Sequence, residues 1–215
     1  MTQAEIIAKN KAILYKYMPE GAVEDIFDYL YNNKIHFKIV NDRKTKLGDY
    51  RWPQHQIRYH QITINGGLNP YAFLFVLLHE IAHHATYLNH QTSVYPHGSE
   101  WQAQYRILLR SHLGLSLFPT DVEQAIARYC SSLPLKTTAE QEVMNLLWRY
   151  DSDYDSSSKT LLRDLPIGSQ FQTADGRRFC SIEKRRTRYK CLSLDDNRLY
   201  LVHGDAKVTP IRIRG

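Results

Sequence analysis

Long hydrophobic runs are what this sequence has least of. The longest, Ala72–Leu78 (AFLFVLL), is seven residues, far short of the roughly 20 that cross a bilayer as a helix. No membrane-spanning helix is therefore expected. The first residues, MTQAEIIAKNKAILYKY, are polar and lysine-bearing, without the apolar stretch and small-residue cleavage site of a secretory signal. The expected location is the cytoplasm. Cysteine is also scarce: Cys130, Cys180 and Cys191 are the only three, and none stands in a C-x-x-C pair. That excludes a disulfide framework and agrees with a reducing compartment. Glycine and proline, 10 and 8 in 215 residues, are too few for a collagenous or low-complexity chain, and no internal repeat is visible. What is present is ordinary globular usage, 43% hydrophobic and 23% charged, enough to bury a core.

The net charge of +6 is unevenly placed. Residues 1–158 carry 15 Lys and Arg against 16 Asp and Glu, whereas residues 159–215 carry 13 against 6, a net +7. Between them runs YDSDYDSSSKT, Tyr150 to Thr160, which has no apolar period and reads as an exposed linker. A domain boundary is expected near 155–164.

Apolar positions at helical spacing predict amphipathic helices over 3–18 and 21–32. His36–Val40, Leu47–Arg51 and Gln56–Asn65 are rich in β-branched and aromatic residues and are punctuated by Asn41-Asp42, Gly48 and Pro53. They read as antiparallel strands joined by turns. Asn69-Pro70 then opens a helix expected to reach about residue 88, and further helices are expected over 99–113, 119–131 and 137–149. After the linker, glycines at 168, 176 and 204 separate short alternating runs, 170–172, 178–181 and 199–202, which predict a small β unit.

The sharpest feature is His79-Glu80-Ile81-Ala82-His83 inside the predicted helix 70–88. Histidines four apart stand one turn apart on one helix face, so both imidazoles reach one Zn²⁺, and Glu80 can address a metal-bound water as general base. The apolar stretch just before the motif implies a buried helix. Burying two imidazoles and a carboxylate there without partners is costly, and a metal removes the cost. A neutral-pH zinc hydrolase needs these groups, a third ligand and an open coordination position. The extended pattern HExxHxxGxxH fails, because Thr86 and Asn89 stand at its glycine and histidine positions. His84 points about 100° round the helix from His83, and His90 lies just past the expected helix end. His97 follows a loop long enough to fold back and opens His97-Gly98-Ser99-Glu100-Trp101. His97 is the preferred third ligand, with Glu100 as the alternative. Trp101, Leu108, Leu109 and Leu113, at helical spacing, read as core, and Tyr50, Trp52 and Tyr59 as sheet packing, with a groove lining near the metal as the alternative for an aromatic.

Four blocks in order, Leu47-Gly48-Asp49-Tyr50, Ile62-Thr63-Ile64-Asn65, Val76 to His83, and His97 to Trp101, make residues of about 20 to 115 resemble the SprT-like metalloprotease domain. The resemblance implies an α+β, zincin-like domain with helices packed on a small antiparallel sheet. It also implies one zinc on His79, His83 and His97, Glu80 as catalytic base, and proteolysis of DNA-associated proteins. Members with a C-terminal zinc ribbon use two cysteine pairs, whereas this chain offers only Cys180 and Cys191, so one catalytic ion is expected. The chain is thus expected to comprise a metallopeptidase domain over 1–118, a helical extension and linker over 119–158, and a small basic β unit over 159–215.

In that last unit Lys184, Arg185, Arg186, Arg188 and Lys190 crowd beside Tyr189 and Phe179. Cations interleaved with aromatics suit a phosphate backbone and stacked bases, as in single-strand binders, although most charge runs are simply solvated strand faces. The expected partners are a protein substrate and DNA, single-stranded DNA included, with no membrane. Two rival functions remain open on sequence alone: a DNA-binding or transcription-associated module with a zinc site but little protease activity, and a zinc hydrolase of small amides.

Overall fold

Asn69 and Pro70 start the helix around which the first half of the chain is built. In a computed structural model describing residues 2–43, 45–54, 58–132, 134–135, 137–151 and 160–211, Asn69 Oδ1 accepts the Ala72 amide at 3.0 Å, and Pro70 occupies the first turn, where its missing N–H costs nothing. The helix, α3, runs Pro70–His90. Residues 72–78 are all buried, as a helix apolar on every side must be. The chain divides into two compact units, Met1–Ser152 and Asp153–Gly215.

In the first unit α1 (Gln3–Leu14) and α2 (Val23–Asn32) precede β1 (His36–Val40), β2 (Gly48–Arg51) and β3 (Gln61–Asn65). After α3 come α4 (Ser99–Ser111), α5 (Thr120–Ser131) and α6 (Thr137–Leu147). Each expected helix is present, although α1 ends at Leu14 and not residue 18, with Ile6 and Ile13 exposed and only Leu14 buried. One hydrophobic core takes in α2 through Ile26 and Phe27, β3 through Ile62 and Ile64, and most of α3. The same core includes Trp101 and Tyr105 of α4, Ile126 and Tyr129 of α5, and Val143 and Leu147 of α6.

The sheet corrects the sequence reading. It is mixed, in the order β1-β3-β2, with β1 parallel and β2 antiparallel to β3. Residues 62–65 of β3 are buried on both faces, so β3 takes the centre and the half-exposed β1 and β2 take the edges. The connection between β1 and β3 is long enough for a parallel crossover. Arg43 ties it down, donating through Nε to Asn65 Oδ1 at 2.8 Å and through Nη1 to Thr63 Oγ1 at 2.9 Å. The third strand starts at Gln61, not Gln56, and residues 55–57 lie outside those described. Most of the predicted linker, residues 152–159, does so as well.

The second unit is an all-antiparallel sheet in the order β4-β9-β5-β6-β7-β8. Its strands are β4 (Thr160–Leu161), β5 (Gln170–Thr173), β6 (Arg178–Lys184), β7 (Arg188–Ser193), β8 (Leu199–His203) and β9 (Lys207–Pro210). Leu162, Phe171, Phe179, Tyr189, Cys191 and Val208 form its core. Strand β7 was hidden in the sequence by its cations: Tyr189, Cys191 and Ser193 alternate inward between Arg188, Lys190 and Leu192.

Candidate metal centre and active site

Helix α3 carries His79 and His83 on one face, and the segment after Gln91 returns to bring His97 between them. His97 Nε2 lies 3.1 Å from His79 Nε2 and 3.1 Å from His83 Nε2. His97 adopts a left-handed backbone, φ 59°, which costs a non-glycine residue about 1 kcal/mol or more. Its carbonyl accepts from Gln102 Nε2 at 3.1 Å, which anchors the bend to α4. Trp101 wedges under all three rings, with centroids 4.6 Å from His79, 5.2 Å from His83 and 4.6 Å from His97. Tyr50 of β2 lies parallel to His83 at 6.4 Å.

This arrangement fits a zinc ion. Two ligands of one tetrahedral zinc, each at ~2.0–2.1 Å, stand about 3.3 Å apart, close to the separations here. Burial holds His83 down to about 3 and lowers His97 too, so both present neutral imidazole lone pairs. Three nitrogen lone pairs aimed at one point repel unless a cation lies between them. Among the described residues this is the one group of three that could hold a metal.

Glu80 stands on the neighbouring face, buried at 7% exposure. The Tyr50 backbone N–H on β2 donates to its carboxylate, while desolvation pushes the carboxyl up to about 7 against the pull of nearby His79. A base poised near neutrality is suited to taking and returning one proton. The strand approaches closely because residue 48 is glycine: a Cβ there would sit 2.8 Å from Glu80 Cγ and 2.9 Å from its Cδ. A cavity of about 580 Å³, walled by Tyr50, Trp52, Tyr87, Tyr95 and Trp101, opens onto His79, Glu80, His83 and His97. A second, of about 380 Å³, meets His79 and Glu80 from the side of Phe75, Val76, Glu140 and Met144.

The other sequence candidates point elsewhere. His84 is fully buried, its Nδ1 2.8 Å from the Tyr29 hydroxyl and its ring edge-on to His60. His90 closes α3, and Glu100 is partly exposed, accepting from Ser99 Oγ at 3.0 Å. Trp101 is core by burial, as its spacing implied, yet it also forms the floor of the site. Neither Gly48 as a clearance for Glu80 nor Glu140 beside His79 was assigned from sequence. Gly48 lay within a recognised block without a role, and Glu140 belongs to a helix with no local signature.

The basic run is a hairpin. Lys184 ends β6, Arg185 to Thr187 form the exposed turn, and Arg188 and Lys190 stand on β7. Arg185 Nη2 lies 3.7 Å from Glu183. The two aromatics read as stacking partners do not face solvent: Phe179 is 1% and Tyr189 3% exposed, both in the core. The strand period of two turns them inward while the cations turn out. No helix among the described residues is long and apolar enough to cross a membrane.

Residues 18–121 match the SprT-like family. SprT-like domains are of the zinc metalloprotease type. No curated protein and no solved structure is a match for the chain.

Proposed function

With the match of residues 18–121 to the SprT-like family as premise, we propose that the chain is a zinc-dependent metallopeptidase in which His79, His83 and His97 hold one zinc ion and Glu80 is the catalytic base. The observation that carries this reading is the convergence of three Nε2 atoms at the rim of a cavity whose wall also presents the buried Glu80. A zinc ion held there supplies a Lewis acid that polarises a scissile carbonyl and brings the pKa of a water towards 7. Glu80 then takes the proton of the attacking water on its carboxylate and returns it to the leaving amide nitrogen. The Tyr50 amide fixes that carboxylate, and Trp101 keeps bulk water from beneath the imidazoles. The cavity's volume of about 580 Å³ and its aromatic walls suit a polypeptide segment better than a small amide. Incubating the zinc-loaded chain with an unstructured protein and reading products by mass spectrometry tests this. Internal peptide-bond cleavage is the expected result, and zinc binding without any cleavage would favour a zinc-containing binding module.

The proposal extends to substrates associated with DNA, single-stranded DNA included, on the strength of the exposed cations Lys184, Arg185, Arg186 and Arg188 and the partly exposed Lys190. With Phe179 and Tyr189 buried, this hairpin offers phosphate contacts and no base stacking. Replacing Arg185, Arg186 and Arg188 together by alanine is expected to weaken DNA binding by the full chain on every sequence. It should also flatten the dependence of log affinity on log salt, by about 0.9 for each duplex phosphate that is no longer neutralised and about 0.7 on single strands. Fluorescence anisotropy across a salt series measures both, and an unchanged slope would exclude the hairpin as the DNA-binding face.

A further inference from the structure

We propose that Glu140 of α6 is a positioning residue for the metal ligand His79: its carboxylate accepts a hydrogen bond from the His79 Nδ1–H and so commits Nε2 to the ion. The inference rests on the reading of His79, His83 and His97 as zinc ligands. Because the three Nε2 atoms face one another, the His79 Nδ1 is turned away from the centre, and there Glu140 Oε1 lies 3.4 Å from it. An imidazole bound through Nε2 must carry its proton on Nδ1, so the nitrogen facing Glu140 becomes a donor on metal binding. A carboxylate opposite it raises the basicity of the ligand and fixes the ring plane.

Glu140 has the surroundings of a group held for this purpose. It lines a cavity with Phe75, Val76, His79, Glu80 and Met144, and its side chain is 27% exposed. Tyr129, on a side chain 1% exposed, lies within electrostatic reach of it. Tyr129 on α5 and Glu140 on α6 thus stand in line behind His79 on α3. Tyr129 and Glu140 stand outside the stretch that matches the family, residues 18–121. Helices α5 and α6, whose apolar faces share the main core, would thus also serve the metal centre.

The test compares wild type with Glu140→Ala, Glu140→Gln and Glu140→Asp in the full chain. Zinc affinity is measured by competition with a chromophoric chelator, with the absorption spectrum of the cobalt-substituted proteins and the unfolding temperature of the metal-free proteins alongside. Zinc affinity is expected to fall by about 10- to 100-fold, most in alanine, less in glutamine and least in aspartate, with a shifted cobalt spectrum and unchanged metal-free unfolding temperatures. Tyr129→Phe is expected to weaken zinc in the same direction by a smaller factor. Equal zinc affinity and an unaltered cobalt spectrum across the series would overturn the role of Glu140 while leaving the zinc site standing. A metal-free protein destabilised in proportion to its loss of zinc would also overturn it, by assigning Glu140 to folding. Failure of the wild type itself to bind zinc would instead overturn the reading beneath.

Discussion

Glu80→Gln is expected to keep its zinc and to lose peptide cleavage by about 10²- to 10⁴-fold, the contribution of a positioned general base. The substitution preserves volume, and its amide oxygen can still accept from the Tyr50 N–H, so the buried pocket between β2 and α3 stays filled. What disappears is a group that can take a proton from water and hand it on. The three imidazoles are untouched, so metal content measured by elemental mass spectrometry should equal that of the wild type. Equal turnover in the two proteins would remove Glu80 from the mechanism. Loss of zinc together with turnover would show that the substitution acted on the metal site instead.

Gly48→Ala probes the same carboxylate from the opposite side. The added methyl group would stand 2.8 Å from Glu80 Cγ and 2.9 Å from Cδ, inside the normal contact distance. The glutamate is the mobile partner, being the side chain that faces a strand tied to β3 by its backbone, so it is the carboxylate that moves. A displacement of about 1 Å in a catalytic group can cost on the order of 10²-fold in rate. The expected result is a turnover reduced by about that factor with zinc content intact. Steady-state kinetics beside metal analysis reads both, and wild-type turnover in Gly48→Ala would show that the close approach of β2 has no catalytic consequence.

How far the site could be read from sequence depended on how local its parts are. His79, Glu80 and His83 lie within two turns of one helix, so spacing alone placed them together. His97 was within reach because one loop and the helix start after it limited where the next histidine could go. The parallel pairing of β1 with β3 is set by burial on both faces of β3 and by Arg43 and Asn65 bracing the crossover, relations that local turn residues do not encode. Glu140 meets His79 from 61 residues further along the chain, through the packing of α6 on the core. Nothing in its neighbouring residues announces that contact. The reading of Tyr189 and Phe179 as stacking aromatics failed for a simpler reason. Composition saw cations beside aromatics, whereas the two-residue period of a strand separates them onto opposite faces.

The claim that His79, His83 and His97 hold a working zinc is tested most directly by removing and restoring the metal. Purified full chain is stripped with a chelator, reloaded with one equivalent of zinc, and assayed at each stage for cleavage of an unstructured basic protein by intact-mass spectrometry. The account predicts one zinc per chain, cleavage by the zinc-bound protein, none after stripping, and recovery on reloading. One zinc per chain with no bond cut at any stage, or cleavage that survives complete removal of the metal, would contradict it.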